Sequence, residues 1–313
     1  MSSPGDLQVV VLAGGSGHRL ANLTSGSDGS QLPKQFCRFG ASRTLLQNTL
    51  ERALVLAPAE RIVPIVLESH RHWWERDLAR IPEENLRIEP LDRGTGFAVL
   101  HALTTMLRHD PDARVLILPA DQVCADESIL RSTLVDLVRR SREMSDQPLL
   151  LGALPDRAED SWGWIVRAPG SGLRIGSVAR LVDHAEPGES GRLQRSGAMW
   201  STGSVAASLR ETLMLFGAAQ PEWVERFMWH THGRESDPDQ MLGIYERLPN
   251  LDFERHVLAG AAGRLGVLAL APCGWTDLDT PGHVIAWKRQ GGTRSAPARS
   301  ALAAANPSLA RLP

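Results

Sequence analysis

The sequence predicts an α/β fold: a mixed, mostly parallel sheet flanked by helices. Three observations lead there. Short apolar runs alternate with amphipathic stretches through the first half of the chain. The run "RVLIL", Arg114–Leu118, is almost wholly apolar, as befits a strand covered on both faces. The first apolar run breaks into "GGSG", the kind of tight turn that leads a buried strand into a helix.

Taken in order, the strand-like runs are Gln8–Ala13, Arg61–Leu67, Arg114–Leu118 and Leu149–Leu154. Helical spacing of apolar residues predicts Leu45–Leu56, Gly96–Leu107 and Ser128–Arg140 between them. The second half is less regular. "WGWIVRAP" and "SVARLVDHA" read as strands of a meander, Ala206–Phe216 and Glu222–Trp229 as helices, and "RLGVLALAP" as a late strand entering "CGWTDLDTPGHV". The expected organisation is one domain over residues 1–287, with a first half over about 1–150 and a smaller subdomain over about 151–287. A basic, mobile tail follows over 288–313, with five basic and no acidic residues.

The formal charge is only −2, so no whole-protein field favours nucleic acid or an anionic membrane, and any bound anion needs a local cluster. Cys37, Cys124 and Cys273 are scattered, without a CxxC pair, which argues against a disulfide framework or zinc knuckle and for a reducing compartment. "MSSPGDLQ" lacks the basic and apolar regions of a signal peptide, and the apolar runs are strand-sized. A cytoplasmic protein without membrane or nucleic-acid partners is expected, with a homodimer left open.

The chemistry concentrates in "VVVLAGGSGHRL". Glycines after a strand expose backbone N–H groups that can cradle phosphate oxygens. The stretch satisfies neither GxxxxGK[ST] nor GxGxxG, because His18-Arg19 follows Gly17 and no third glycine arrives. A bare strand–helix turn explains the glycines equally well at this point. Downstream, "LPKQF" places Lys34 after a backbone-restricting proline. Arg19 and Lys34 together could neutralise a triphosphate. Asp121 ends the strand "RVLILPAD", at the edge where open α/β sheets bind ligands. Asp277 follows another apolar strand. Two such carboxylates with phosphates would suit Mg²⁺, although spacing alone does not establish that they meet.

These stretches resemble a family. "VVLAGGSGHRL", "LPKQF" and "TLLQNTLERAL" are similar to the opening of sugar-1-phosphate nucleotidylyltransferases, nearest to the mannose-1-phosphate guanylyltransferase (GDP-mannose pyrophosphorylase) branch. "EPLDRGTGFAVLHAL", "LILPADQV", "DSWGWI", "SVARLVDHAEP", "SGAMWSTGSVAAS", "DFERHVL" and "CGWTDLDTPGHV" follow in the family's order, so the likeness covers roughly residues 8–287. It implies a Rossmann-like nucleotidyltransferase fold: a catalytic domain over 1–287 with a nucleotide-binding half over about 1–150 and a sugar-binding subdomain over about 151–287. It also implies a reaction in which a sugar-1-phosphate, mannose-1-phosphate favoured, attacks the α-phosphorus of a nucleoside triphosphate, GTP favoured, and pyrophosphate leaves. By the resemblance, Leu12, Ala13, Gly14, Gly15, Gly17, Arg19, Lys34, Arg93, Thr95 and Asp121 would bind the nucleotide. Arg19, Lys34, Asp121 and Asp277 would be catalytic, the two aspartates holding Mg²⁺. Gly163, Asp183, Trp200, Ser201 and Gly203 would bind the sugar. Such a transfer needs alignment and charge stabilisation more than a dedicated nucleophile, and none is evident.

The chain departs from the family at the substrate ends. The tryptophan–proline pair after "RL" is Ala21-Asn22, and Arg-Asn-Thr reads Arg93-Gly94-Thr95. Glu-Lys-Pro becomes Asp183-His184-Ala185, and Trp-Asn-Ser-Gly becomes Trp200-Ser201-Thr202-Gly203. The reaction class is therefore better supported than the substrates. A different sugar or base, or a binding paralogue without catalysis, stays open; the missing third glycine disfavours an NAD-dependent oxidoreductase.

Overall fold

The computed structural model describes residues 6–17, 20–24, 31–144, 147–172, 174–232 and 238–290. Its strands are β1 (Leu7–Leu12), β2 (Ile62–Leu67), β3 (Arg87–Glu89), β4 (Arg114–Pro119), β5 (Gln122–Val123), β6 (Leu149–Ala153), β7 (Trp164–Arg167), β8 (Ile175–Val182), β9 (Met199–Ser208), β10 (Gly266–Leu270) and β11 (Thr276–Asp277). The four strands expected in the first half lie within one residue of their predicted ends.

A nine-stranded sheet runs β3-β2-β1-β4-β9-β6-β10-β8-β7, with β9 also touching β7. It is mixed, and its two halves differ. β3, β2, β1 and β4 are all parallel, as helices connecting successive strands require. Beyond β4 the pairing is antiparallel, except for β6 beside β10. Successive residues of β1 face opposite sides, so Val9 and Val11 join one core while Val10 joins the other. Helices cover both faces. Thr44 caps Leu45–Leu56 with a reciprocal Gln47 bond, and Asp126 caps Glu127–Glu143 through the amides of Ser128 and Ile129.

The second half corrects one assignment. Ala206–Phe216 is not one helix: Ala206–Ser208 finish β9, and the helix is Leu209–Ala219, capped by Ser208. The alanines favour a helix locally, but β9 is wedged antiparallel between β4 and β6, and burial on both sides overrides propensity. Glu222–Trp229 lies within the helix Pro221–His232. Of the proposed tail, 288–290 finish the helix Pro281–Arg289 and its cap, and 291–313 fall outside the described residues.

A separate two-stranded ladder positions the site. β5 follows β4 directly and pairs antiparallel with β11, Gln122 opposite Asp277 and Val123 opposite Thr276. Residues 121 and 277, far apart in sequence, are thereby delivered to the same edge of the sheet.

Candidate active site

A cleft of about 830 Å³ opens at the ends of β1 and β4. Its floor is the turn after β1. Gly17 has φ +66°, and a β-carbon there would stand 2.9 Å from the Lys34 backbone nitrogen. Only glycine lets the turn pass that close to the Pro33–Lys34 segment. Gln35, buried on the short 3₁₀ turn Lys34–Phe36, donates from Nε2 to the carbonyls of Ala13 (2.9 Å) and Gly15 (2.8 Å). With those carbonyls engaged, the loop is held in one shape.

Lys34 stands over this floor inside a ring of carboxylates. Its Nζ lies 2.9 Å from Asp121, 3.3 Å from Asp277 and 3.1 Å from Asp279. Burial favours the neutral amine, but the combined pull of Asp121, Asp277 and Asp279 prevails and holds the ammonium well above the ordinary lysine range. Burial and repulsion from Asp121 and Asp279 push Asp277 up to about 7, against the opposing pull of Lys34.

The far wall is built differently. Gly163, Asp183, Ser201, Gly203, Thr95 and Glu254 line it. Ser201 donates from Oγ to Glu254 Oε1 at 2.5 Å, and its amide donates to the Gly163 carbonyl at 2.8 Å. Thr95 Oγ1 donates to Asp252 at 3.2 Å and accepts from the Phe253 amide at 2.9 Å, tying the start of the helix Thr95–Met106 to residues 252–254. Burial pushes Glu254 up to about 7, with Asp252 and Asp183 adding to the rise and the Ser201 hydrogen bond opposing it. Beside the floor, Glu89 ends β3. Burial pushes it up to about 8, although the Tyr245 hydroxyl donates to it at 2.9 Å.

Of the residues expected from sequence, Leu12, Gly14, Gly15, Gly17, Lys34, Thr95, Asp121, Gly163, Asp183, Ser201, Gly203 and Asp277 all line this one cleft. Three do not. Ala13 is buried in the core under the loop. Arg93 turns its Nε to the Tyr245 carbonyl at 2.7 Å, so it braces the cleft from outside. Trp200 is 2% exposed and packs beneath the cleft on Trp162, centroids 4.7 Å apart. Arg19 lies outside the described residues. Gln35, Glu89, Glu254 and Asp279 were not singled out from sequence. Asp279 alone left a readable signal, two residues beyond Asp277 in an extended segment.

The donor set suits a hard divalent cation. Asp121 Oδ1 is buried without a hydrogen-bond partner, and Asp277 supplies a second carboxylate beside it. Among the described residues no group of three or more His, Cys, Asp or Glu side chains is arranged to hold a metal by itself. Two carboxylates are a number that Mg²⁺ commonly takes, completing its shell with substrate phosphates and water. No helix among the described residues is long and apolar enough to cross a membrane.

A family model described as nucleotidyl transferase matches residues 8–183. An alginate biosynthesis protein AlgA of Pseudomonas syringae pv. tomato is 29% identical over 276 residues, covering 86% of this chain and 51% of that protein. A mannose-1-phosphate guanylyltransferase of Salmonella muenchen is 32% identical over 180 residues, covering 56% of this chain and 36% of its own length. The chain thus spans about half or less of the curated relatives it matches. A crystal structure from Thermus thermophilus, described as a mannose-1-phosphate geranyltransferase, superposes with a TM-score of 0.74 at 27% identity, covering 88% of this chain and 76% of that one.

Proposed function

The chain belongs to the nucleotidyl transferase family, and from that premise we propose that it joins a nucleoside triphosphate to a sugar-1-phosphate, giving a nucleotide sugar and pyrophosphate. GTP and mannose-1-phosphate are the favoured pair: the name of the Salmonella relative supports both, and the name of the Thermus structure supports the sugar phosphate alone. A phosphate oxygen of the sugar-1-phosphate forms a bond to the α-phosphorus. The bond from that phosphorus to the bridging oxygen of the β-phosphate breaks, and pyrophosphate departs with the electron pair.

One observation carries this reading: Lys34, Asp121 and Asp277 converge beside the glycine turn, in a cleft large enough for both substrates. The turn's amides would hold the triphosphate, and Lys34 would leave its carboxylate ring to meet the α-phosphate as charge develops there. Arg19, next to the turn in sequence, would add a second cation. Asp121 and Asp277 would hold Mg²⁺, which when bound supplies charge neutralisation between two anionic substrates. No side chain needs to act as a strong base, because the attacking phosphate is already an anion.

The test is pyrophosphate release from GTP, ATP, CTP and UTP, each paired with a panel of sugar-1-phosphates and Mg²⁺. The expected outcome is fastest turnover with GTP and mannose-1-phosphate. Tight nucleotide binding without turnover of any pair would instead identify a non-catalytic binding protein, the role that the Asp183-His184-Ala185 change would favour.

A further inference from the structure

We propose that Glu254, held in place by Ser201, is a specificity residue that accepts a hydrogen bond from one hydroxyl of the sugar ring. The inference rests on the nucleotidyl-transfer reading of the same cleft and adds to it the group that chooses the sugar.

The wall carries three acids, and two of them have a cationic or backbone partner. Asp183 has Arg255 at 3.6 Å. Asp252 accepts from Thr95 Oγ1 at 3.2 Å and from the Arg255 amide at 2.9 Å. Glu254 is the exception. Among the described residues Ser201 is its donor, bonded to Oε1, and no Lys or Arg forms an ion pair with it. Its second oxygen, Oε2, lies 3.5 Å from where a β-carbon on Gly163 would stand, so the glycine leaves that face of the carboxylate open to the cleft. A partly buried acceptor with one free oxygen is satisfied by a ligand donor. The floor offers a phosphate hydrogen-bond donors, the turn's amides and the Lys34 ammonium, whereas the side chains of Asp183, Asp252 and Glu254 on the wall offer carboxylate acceptors. The sugar phosphate is thereby oriented with its phosphate toward Lys34 and its ring toward Glu254. A ring hydroxyl is the neutral donor such an acceptor can take.

The experiment compares kcat/KM for the best sugar-1-phosphate of the panel with its monodeoxy analogues, in the wild type, Glu254→Ala and Glu254→Gln. Assayed at about pH 8.5, above the value near 7 to which Glu254 is pushed, the wild type should penalise one analogue by about 10- to 100-fold, the worth of a hydrogen bond to a charged acceptor. Glu254→Ala should accept that analogue and the parent within a few-fold of each other, its loss against the parent falling mainly on KM. Glu254→Gln, which keeps an acceptor oxygen, should recover part of the discrimination. GTP affinity should be unchanged in both. Should Glu254→Ala not fold, Ser201→Ala supplies the same comparison with a smaller expected loss. The proposal is overturned if the variants penalise the same analogue as strongly as the wild type, or if the wild type treats every analogue alike. A wild type that turns over no pair would fail the nucleotidyl-transfer reading itself, a separate and visible result.

Discussion

Lys34 and Glu254 face one cleft from opposite ends, and their surroundings are opposite too. Lys34 is enclosed by three carboxylates and held firmly charged. Glu254 has acids for neighbours and a single hydroxyl donor, so burial pushes its own proton affinity up. The contrast separates two ways of preparing a polar site. At the floor, the protein supplies the counter-charges, and on the proposed reading the incoming phosphates exchange with them. At the wall, it leaves an acceptor underused, for the proposed sugar ligand to complete. Floor substitutions should therefore disable chemistry, and wall substitutions should blur selection.

The largest effect should follow from Lys34→Met. It removes the cation proposed to meet the α-phosphate and leaves Asp121, Asp277 and Asp279 facing one another without their ammonium. A loss in kcat/KM of about 10³-fold or more is expected, the scale at which a preorganised charge contributes to such a transition state. Steady-state pyrophosphate release checks it. A Lys34→Met enzyme within 10-fold of wild type would remove the floor from the mechanism and erase the contrast with the wall.

Glu89 sharpens the comparison, because among the described residues it too has no cationic ion-pair partner but is 3% exposed. Its carboxyl is pushed up to about 8 in the folded protein, mainly by burial, against an ordinary value near 4.5. Between those values the native state holds a proton that the unfolded chain has released. The contribution of Glu89 is thus fully present below about pH 4.5 and is lost as pH rises toward 8. The slope for one such group is about 1.4 kcal/mol per pH unit. Glu89→Gln stays neutral, and its amide oxygen can still accept from Tyr245. The stability of the variant relative to wild type should therefore increase by on the order of 3 kcal/mol between pH 5 and pH 8. Urea denaturation at several pH values measures the difference, and a flat difference would mean that Glu89 is ionised in the native state.

How much of this was legible in the sequence follows from where each feature is encoded. The glycine turn, Lys34 and Asp121 each sit in a short contiguous pattern, so their residue types raise phosphate chemistry, although the glycines alone are explained equally well by a bare strand–helix turn and the family resemblance tips the balance. Asp277 became a partner of Asp121 only through the family resemblance; the β5–β11 ladder supplies the physical reason. The rest depends on packing between distant segments. Ser201 and Glu254 are separated by 53 residues, and Glu89 and Tyr245 by 156, so no local pattern pairs them. Trp200 and Arg93 occupy recognisable blocks yet turn away from the cleft, because a neighbouring aromatic cluster takes one and a backbone carbonyl takes the other. The end of β9 is hidden from a sequence reading because the alanines there carry helical propensity and give no sign of the sheet around them.

The smallest expected effect tests whether the three acids of the floor are equivalent. Asp279 holds Lys34 Nζ at 3.1 Å and is 14% exposed, against 30% for Asp121 and 24% for Asp277. It is also the acid that neither the β5–β11 ladder nor a buried unpartnered oxygen places toward a metal. The expected role is to seat the lysine, alongside a further contact of its own, and an asparagine can do that, since its amide oxygen accepts from an ammonium as a carboxylate does. Asp279→Asn should lose less than about 10-fold in kcat/KM, the share of one charge-assisted contact weakened to a neutral one. The apparent Mg²⁺ requirement should not move. Asp277→Asn, by contrast, should raise the Mg²⁺ concentration needed for half-maximal rate. If Asp279→Asn moves the Mg²⁺ requirement as far as Asp277→Asn, the lysine-seating and metal-holding roles are not divided between the two residues, and the ring around Lys34 acts as one site.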